Sequence, residues 1–244
     1  MDNESEIRKF PENIPDKFQM IEVGIDMEVQ MEYLEYSLSF DRGELTERET
    51  ENLGGLLFRT GTPLEAKKKV LTLLAHLGTI HSYKILSRFA ENPDTGIEQW
   101  TVLALLECRM FLESELSDQN QGIILTGLGS KNNKMRCYFL VLPIDENTFS
   151  ASQHLRIKNE LSYTAKDLDC DIENVEFQDH YVSLTVLIPM DVAIATFIEE
   201  GIKNCNEFGN FVLKEYYVTN MDIPDKDEIE KILKIVKSDE NIIC

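Results

Sequence analysis

Apolar positions along the chain change period once, near residue 117. Before that point they recur at helical spacing, and after it they largely alternate. Over 16–38, Met20, Val23, Met27, Met31, Leu34 and Leu38 predict one amphipathic helix that turns these residues inward. Glu22, Asp26, Glu28, Glu32 and Glu35 lie between them and form a strongly acidic outer face. A break is expected at 41–43. Four more helices are predicted at 44–60, 63–77, 80–91 and 96–117. Three of their starts carry a threonine followed three residues later by a glutamate: Thr46/Glu49, Thr62/Glu65 and Thr95/Glu98. In such a pair the hydroxyl and the carboxylate each accept a free amide of the first turn. Pro63 suits the first helical position, and Gly61, Gly78 and Gly96 separate the helices.

Beyond 117 the pattern predicts a strand at 123–126, a turn at 127–134 and a strand at 135–143. A helix follows near 150–168, then strands around 175–177 and 182–188 joined by a tight turn at Asp179 and His180. A helix near 191–207, a strand at 211–219 and a closing amphipathic helix at 225–237 complete the order.

Within the helical stretch, Val70-Leu71-Thr72-Leu73-Leu74 recurs as Val102-Leu103-Ala104-Leu105-Leu106, an offset of 32. With the Leu77-Gly78 corner, the Ile85-Leu86 second helix and the Asn92-Pro93-Asp94 turn, residues 62–117 resemble a HEAT-like helical repeat. The order β-α-β-β-α-β from Met135 resembles the ferredoxin-like split βαβ fold, with one extra strand in front. The fold expected is therefore two-part, an all-α HEAT-like region followed by an α+β ferredoxin-like domain. Its divisions are a flexible leader at 1–15, the helical region at 16–117, the sheet domain at 122–220, and a C-terminal helix and tail at 221–244.

Charge narrows the choice of partner. The chain of 244 residues carries 24 Lys and Arg against 44 Asp and Glu, a net charge of −20. Residues 1–52 alone hold 15 acidic and 5 basic side chains. Such a surface repels phosphate backbones, so the sequence is read as excluding nucleic acid and anionic membranes, with a basic protein partner favoured. A homodimer is compatible with it. The five cysteines are odd in number and never form a CxxC pair, which speaks against disulfides and zinc and for a reduced, cytoplasmic protein. The polar first eighteen residues show no signal-peptide pattern.

Candidate chemistry is sparse. Gly127-Leu128-Gly129-Ser130-Lys131 has the glycines of a phosphate loop but leads into a strand, so a hairpin loop is expected. Lys131, Lys134 and Arg136 beside it form the most basic spot of the domain and are the candidate anion contact. Asp167, Asp169, Asp171 and Glu173 alternate like a calcium loop, yet Ile172 and Gln178 stand where it needs Gly and Glu. His76, His81, His154 and His180 show no metal spacing and no HxH pair, which disfavours metal-dependent nucleases that use such a pair on a ferredoxin-like sheet. No GxSxG is present, and Tyr216-Tyr217 reads as packing.

No catalytic residue, metal or cofactor is assigned on these grounds. Glu28, Glu32, Glu35 and the only tryptophan, Trp100, are the candidate partner surface. The leading expectation is a non-enzymatic protein-interaction or adaptor module. The alternatives are a regulatory ferredoxin-like domain binding a small ligand, and an enzyme whose acidic site is scattered along the chain.

Overall fold

Side chains that close free amides mark where several helices begin, and tertiary pairing marks the strands. The structure, a computed structural model, describes residues 17–39, 45–117, 119, 121–144, 148–207 and 209–237. The leader expected at 1–15, the break at 41–43 and the tail after 237 lie outside the described residues. The chain divides into two compact units. Among the described residues, one takes in Lys17–Gln19 and those within Ile25–Leu125; the other takes in Met20–Gly24 and those from Thr126 onward. Eight α-helices and an antiparallel five-stranded sheet among the described residues make the protein mixed α+β, a helical region followed by a sheet domain. No helix of the described residues is long and apolar enough to cross a membrane.

In the first unit, β1 (Lys17–Met20) occupies the place where the apolar period predicts the start of a helix. The helix α1 (Met27–Leu38) begins only behind Asp26, whose carboxylate accepts the Glu28 amide at 2.8 Å. At α2 (Glu47–Gly55) both halves of the Thr46/Glu49 pair close, and a 3-10 turn, Leu56–Phe58, follows. The Thr62/Glu65 pair does not close: Pro63 holds the cap position of α3 (Leu64–Leu77) with no side-chain cap bond. Gly78 ends α3 in the left-handed conformation, φ 58°. Thr79 caps α4 (Ile80–Ala90) through the Ser82 amide at 3.1 Å. At α5 (Glu98–Ser117), Glu98 turns back to the Gly96 amide at 2.7 Å. Leu71 and Leu103, equivalent under the 32-residue offset, are both buried, and α3 packs on α5. The strand expected at 123–126 is β2 (Gln121–Ile124), which pairs with β1 and stands apart from the main sheet.

The second unit runs β3 (Ser130–Lys131), β4 (Lys134–Pro143), α6 (Ala151–Asp167), β5 (Asp171–Phe177), β6 (Val182–Pro189), α7 (Ile194–Asn206), β7 (Val212–Thr219) and α8 (Lys226–Lys237). β4 lies between β6 on one side and β3 with β7 on the other, and β5 pairs with β6. Phe139 sits opposite both Leu184 and Val218. Strand alternation then sorts the faces. Cys137, Phe139, Val141, Val182, Leu184 and Val186 pack with Ile157 and Leu161 of α6 and Phe197 and Ile198 of α7. Tyr138, Leu140 and Leu142 face the other way, against Ile229, Ile232 and Leu233 of α8. A cap pair absent from the sequence reading, Ser150/Gln153, closes at α6.

Candidate functional site

The basic trio is largely spent on neighbouring carboxylates. Lys134 Nζ lies 2.9 Å from Asp171 and 3.3 Å from Asp169. Arg136 donates through Nε and Nη2 to Glu173, at 2.5 and 3.1 Å, and through Nη1 to the Leu128 carbonyl at 2.6 Å. The Arg136 hydrogen bonds hold the Glu173 carboxyl below its usual range. Lys131 stays exposed on β3. The acidic alternation at 169–173 and the basic residues on β4 thus answer each other. The glycine-rich loop is equally committed. Its Leu128 amide donates to the Asn220 carbonyl at 3.1 Å and its Ser130 amide to the Glu22 carbonyl at 3.3 Å. A Cβ at Gly127 would run into the Met221 carbonyl oxygen, so the glycine serves a backbone crossing.

On α1 the buried face is not the expected one. Gln30, Tyr33 and Ser37 are buried, whereas Met31, Leu34 and Leu38 are 57%, 49% and 86% exposed. A carboxylate from α5 explains the inversion. Tyr33 donates its hydroxyl to Glu107 Oε2 at 2.7 Å, and Ser37 donates to Oε1 at 2.7 Å. His76 of α3 places Nε2 2.9 Å from Ser37 Oγ and 3.5 Å from Glu107 Oε1. Because the Ser37 proton goes to Glu107, the His76–Ser37 bond requires a proton on Nε2. Burial alone would raise the Glu107 pKa. The bonds from His76, Tyr33 and Ser37 outweigh burial and leave it below the ordinary value. Tyr33 moves well above its own ordinary value through burial and the Glu107 charge. Placing donors around an enclosed carboxylate outweighs burying a few aliphatic side chains, because an unsatisfied buried charge costs more.

Beside this cluster lies a cleft of about 460 Å³ lined by Asp26, Glu28, Glu32, Lys68, Glu98 and Trp100 among others. Trp100, only 1% exposed, belongs to its buried wall. Its indole meets Tyr33 and Tyr36 edge-on at 5.1 and 5.5 Å and donates through Nε1 to Thr72 at 3.3 Å. The Lys68 ammonium stands 4.7 Å from the centre of the same ring. It also lies 2.9 and 3.2 Å from the two Glu32 oxygens and 3.3 Å from Glu65. Partial burial would lower the Lys68 pKa, but these two carboxylates raise it above the ordinary value. Of the four residues singled out on the acidic helix and the repeat, Glu28, Glu32 and Trp100 meet at the cleft. Glu35 does not line it. Sequence reasoning missed Lys68, Glu98 and the Glu107 cluster. One signal was present: Glu107 is a lone acid in the otherwise apolar run 102–108.

No family model matches the sequence, and no curated protein matches it. Among solved structures it is similar to a REP-associated tyrosine transposase bound to a REP hairpin, at 10% identity and a TM-score of 0.33. That match covers 43% of this chain and 65% of the other, so the chain spans about two thirds of that protein's length. It is also similar to a protein from Deinococcus radiodurans R1 assigned as a transposase, at 12% identity and a TM-score of 0.34, over 43% of this chain and 90% of the other.

Two expectations do not stand against these likenesses. The reading as a non-enzymatic interaction or adaptor module is not upheld: the solved structures it is similar to are a tyrosine transposase and a protein assigned as a transposase. The exclusion of nucleic acid is not upheld either: one of these structures is bound to a REP hairpin. The reason lies in the argument from net charge, which sums over every face of the chain, whereas a nucleic acid is met by one face only. At this level of similarity no residue role passes to the present chain.

Proposed function

We propose that the helical unit binds a small organic cation of the diamine or polyamine class in the Trp100 cleft. The observation that carries the reading is Lys68, an ammonium already seated between an indole face and two carboxylates at the edge of an open cleft. Cation–π attraction and carboxylate pairing together favour such a charge. Asp26, Glu28, Glu32 and Glu98 set four carboxylates against that one ammonium, leaving room for further positive charge. Among the described residues no three His, Cys, Asp or Glu side chains are placed to share a metal ion. Separated carboxylates suit a chain of spaced ammonium groups better than a point charge that needs converging oxygens.

The test uses Trp100, the single tryptophan, as its own reporter. Titrating the protein with spermidine at constant ionic strength should give a saturable change in tryptophan fluorescence. Glu28→Gln with Glu32→Gln should abolish it. If sodium chloride at matched ionic strength reproduces the change, or the double variant binds as well as the wild type, the reading is wrong.

The fold reading supports a ferredoxin-like assignment of the sheet domain: its chain order β-α-β-β-α-β is laid out in space as β7-β4-β6-β5. The HEAT-like assignment rests on the α3–α5 offset. A reducing, cytoplasmic setting belongs to the same reading and is supported by the free thiols of Cys108, Cys137, Cys170 and Cys205, all of them buried.

A further inference from the structure

We propose that Glu107 is a latch: its charge holds α1, one wall of the Trp100 cleft, against α3 and α5. The inference deepens the cation-binding reading and rests on it for its functional meaning. Polar contacts tie α1 to the rest of the helical unit at its start, where the Asp26 amide donates to Gln99 of α5 at 3.0 Å, and at two further places along its length. The inner one is the Glu107 carboxylate, which accepts Tyr33 and Ser37 from α1 while His76 from α3 stands 3.5 Å away. The outer one is the Lys68–Glu32 pair at the cleft. Between them, Tyr33 and Tyr36 meet Trp100 edge-on. No large aliphatic side chain of α1 is buried; Gln30, Tyr33 and Ser37 form its buried face. With no large aliphatic anchor, α1 is held less tightly once that carboxylate loses its charge or its donors.

This arrangement bears on ligand exchange. A cation entering the cleft competes with Lys68 for Glu32, so the outer tie is open to exchange while Lys68 keeps Glu65. Glu107 then keeps α1 in place during that exchange. It touches no ligand and acts as a positioning residue. The titratable groups facing it are Tyr33 from α1, His76 from α3 and Cys108, its neighbour on α5. Protonating Glu107 turns one of its two oxygens into a donor, so one α1 hydroxyl loses its acceptor and the other keeps only a neutral one.

Amide hydrogen exchange on the full chain without ligand tests the latch. In Glu107→Gln the α1 amides should exchange about ten-fold faster, a change of roughly 1.4 kcal/mol in opening free energy, while those of α3 and α4 are unchanged. In the wild type, α1 exchange corrected for the intrinsic pH effect should speed up as pH falls through the depressed Glu107 range. Glu107→Gln should lose that pH profile. Should Glu107→Gln not fold, Tyr33→Phe and Ser37→Ala carry the same test, each removing one donor. Selective acceleration of α1 supports the latch. Unchanged α1 exchange, or equal acceleration of every helix, overturns it. Spermidine is absent, so failure here is separate from failure of cleft binding, which the fluorescence titration reads alone.

Discussion

The helix α1 and the strand β4 carry apolar patterns of similar clarity, but only β4 buries the face its pattern marks. On β4, Cys137, Phe139 and Val141 enter one core, and Tyr138, Leu140 and Leu142 enter another. Both faces of the strand find apolar partners, so either parity of the alternation leads to burial. On α1 the apolar stripe Met31, Leu34 and Leu38 faces outward, and the stripe Gln30, Tyr33 and Ser37 goes in. A short helix presents several stripes separated by 100° steps, and the side of the partner selects among them. Here the partner surface offers Glu107 and Trp100, which reward a phenol and a hydroxyl more than three aliphatic chains. A strand face is chosen between two options by apolar area, while a helix face can be chosen by a single polar group.

The largest expected effect tests the apolar half of that contrast. Phe139 is fully buried and packs 5.7 Å from the Phe197 ring. Phe139→Ala should cost about 3–5 kcal/mol in urea denaturation followed by circular dichroism. A loss under 1 kcal/mol would mean that the sheet core can collapse around the gap, and the strand would lose its place as the rigid member of the pair.

Next comes the polar half. Glu107→Ala leaves the Tyr33 and Ser37 hydroxyls without their acceptor and should cost about 1–3 kcal/mol. Trp100 fluorescence, which senses the Tyr33 contact, is the probe for its unfolding curve. A neutral outcome would show that α1 is held by its aromatic contacts and not by the carboxylate.

Acidification should separate the two halves without mutation. The Glu107 pKa in the folded chain lies below its ordinary value of 4.5. Its contribution to stability is therefore complete above that ordinary value and is lost as pH falls through the depressed one. Thermal melts between pH 6 and pH 3 should show a smaller acid loss in Glu107→Gln than in the wild type. Identical acid losses in the two proteins would remove Glu107 from the account.

The smallest effect is the sharpest discriminator. If Leu34 and Leu38 face outward as described, Leu34→Lys and Leu38→Lys should each change stability by no more than about 0.5 kcal/mol. The pattern of apolar letters alone predicts a loss several times larger for both. A costly Leu38→Lys would show that the stripe is covered in solution and that the contrast between α1 and β4 is weaker than drawn.

Much of the fold was legible along the chain. The change of period near 117, the order of elements after Met135 and the cap at Thr46/Glu49 follow from local rules, because period and capping are satisfied within an element and its nearest turn. Two other cap pairs failed for local reasons as well. Pro63 took the cap position before Thr62 could, and Glu98 found the Gly96 amide. The β1–β2 pairing was not legible: the strand at 123–126 was announced, but Lys17–Met20 reads as the start of a helix and no local pattern joins the two segments.

By itself, the sequence determined most of the segments that become helices or strands, Lys17–Met20 excepted, and which residue types were available for chemistry. It placed Glu28, Glu32 and Trp100 on the elements that now meet at one cleft. Only the tertiary structure decided the rest. It brought Glu107 to Tyr33 and Ser37 across 74 and 70 residues, and so chose the buried face of α1. It set Glu173 against Arg136 and Asp171 against Lys134, and so closed the most basic spot of the sheet domain. It stood Lys68 over Trp100. Periodicity records hydrogen bonding inside an element, but the energy of a buried charge depends on which donors surround it. Those donors come from parts of the chain that no local pattern connects.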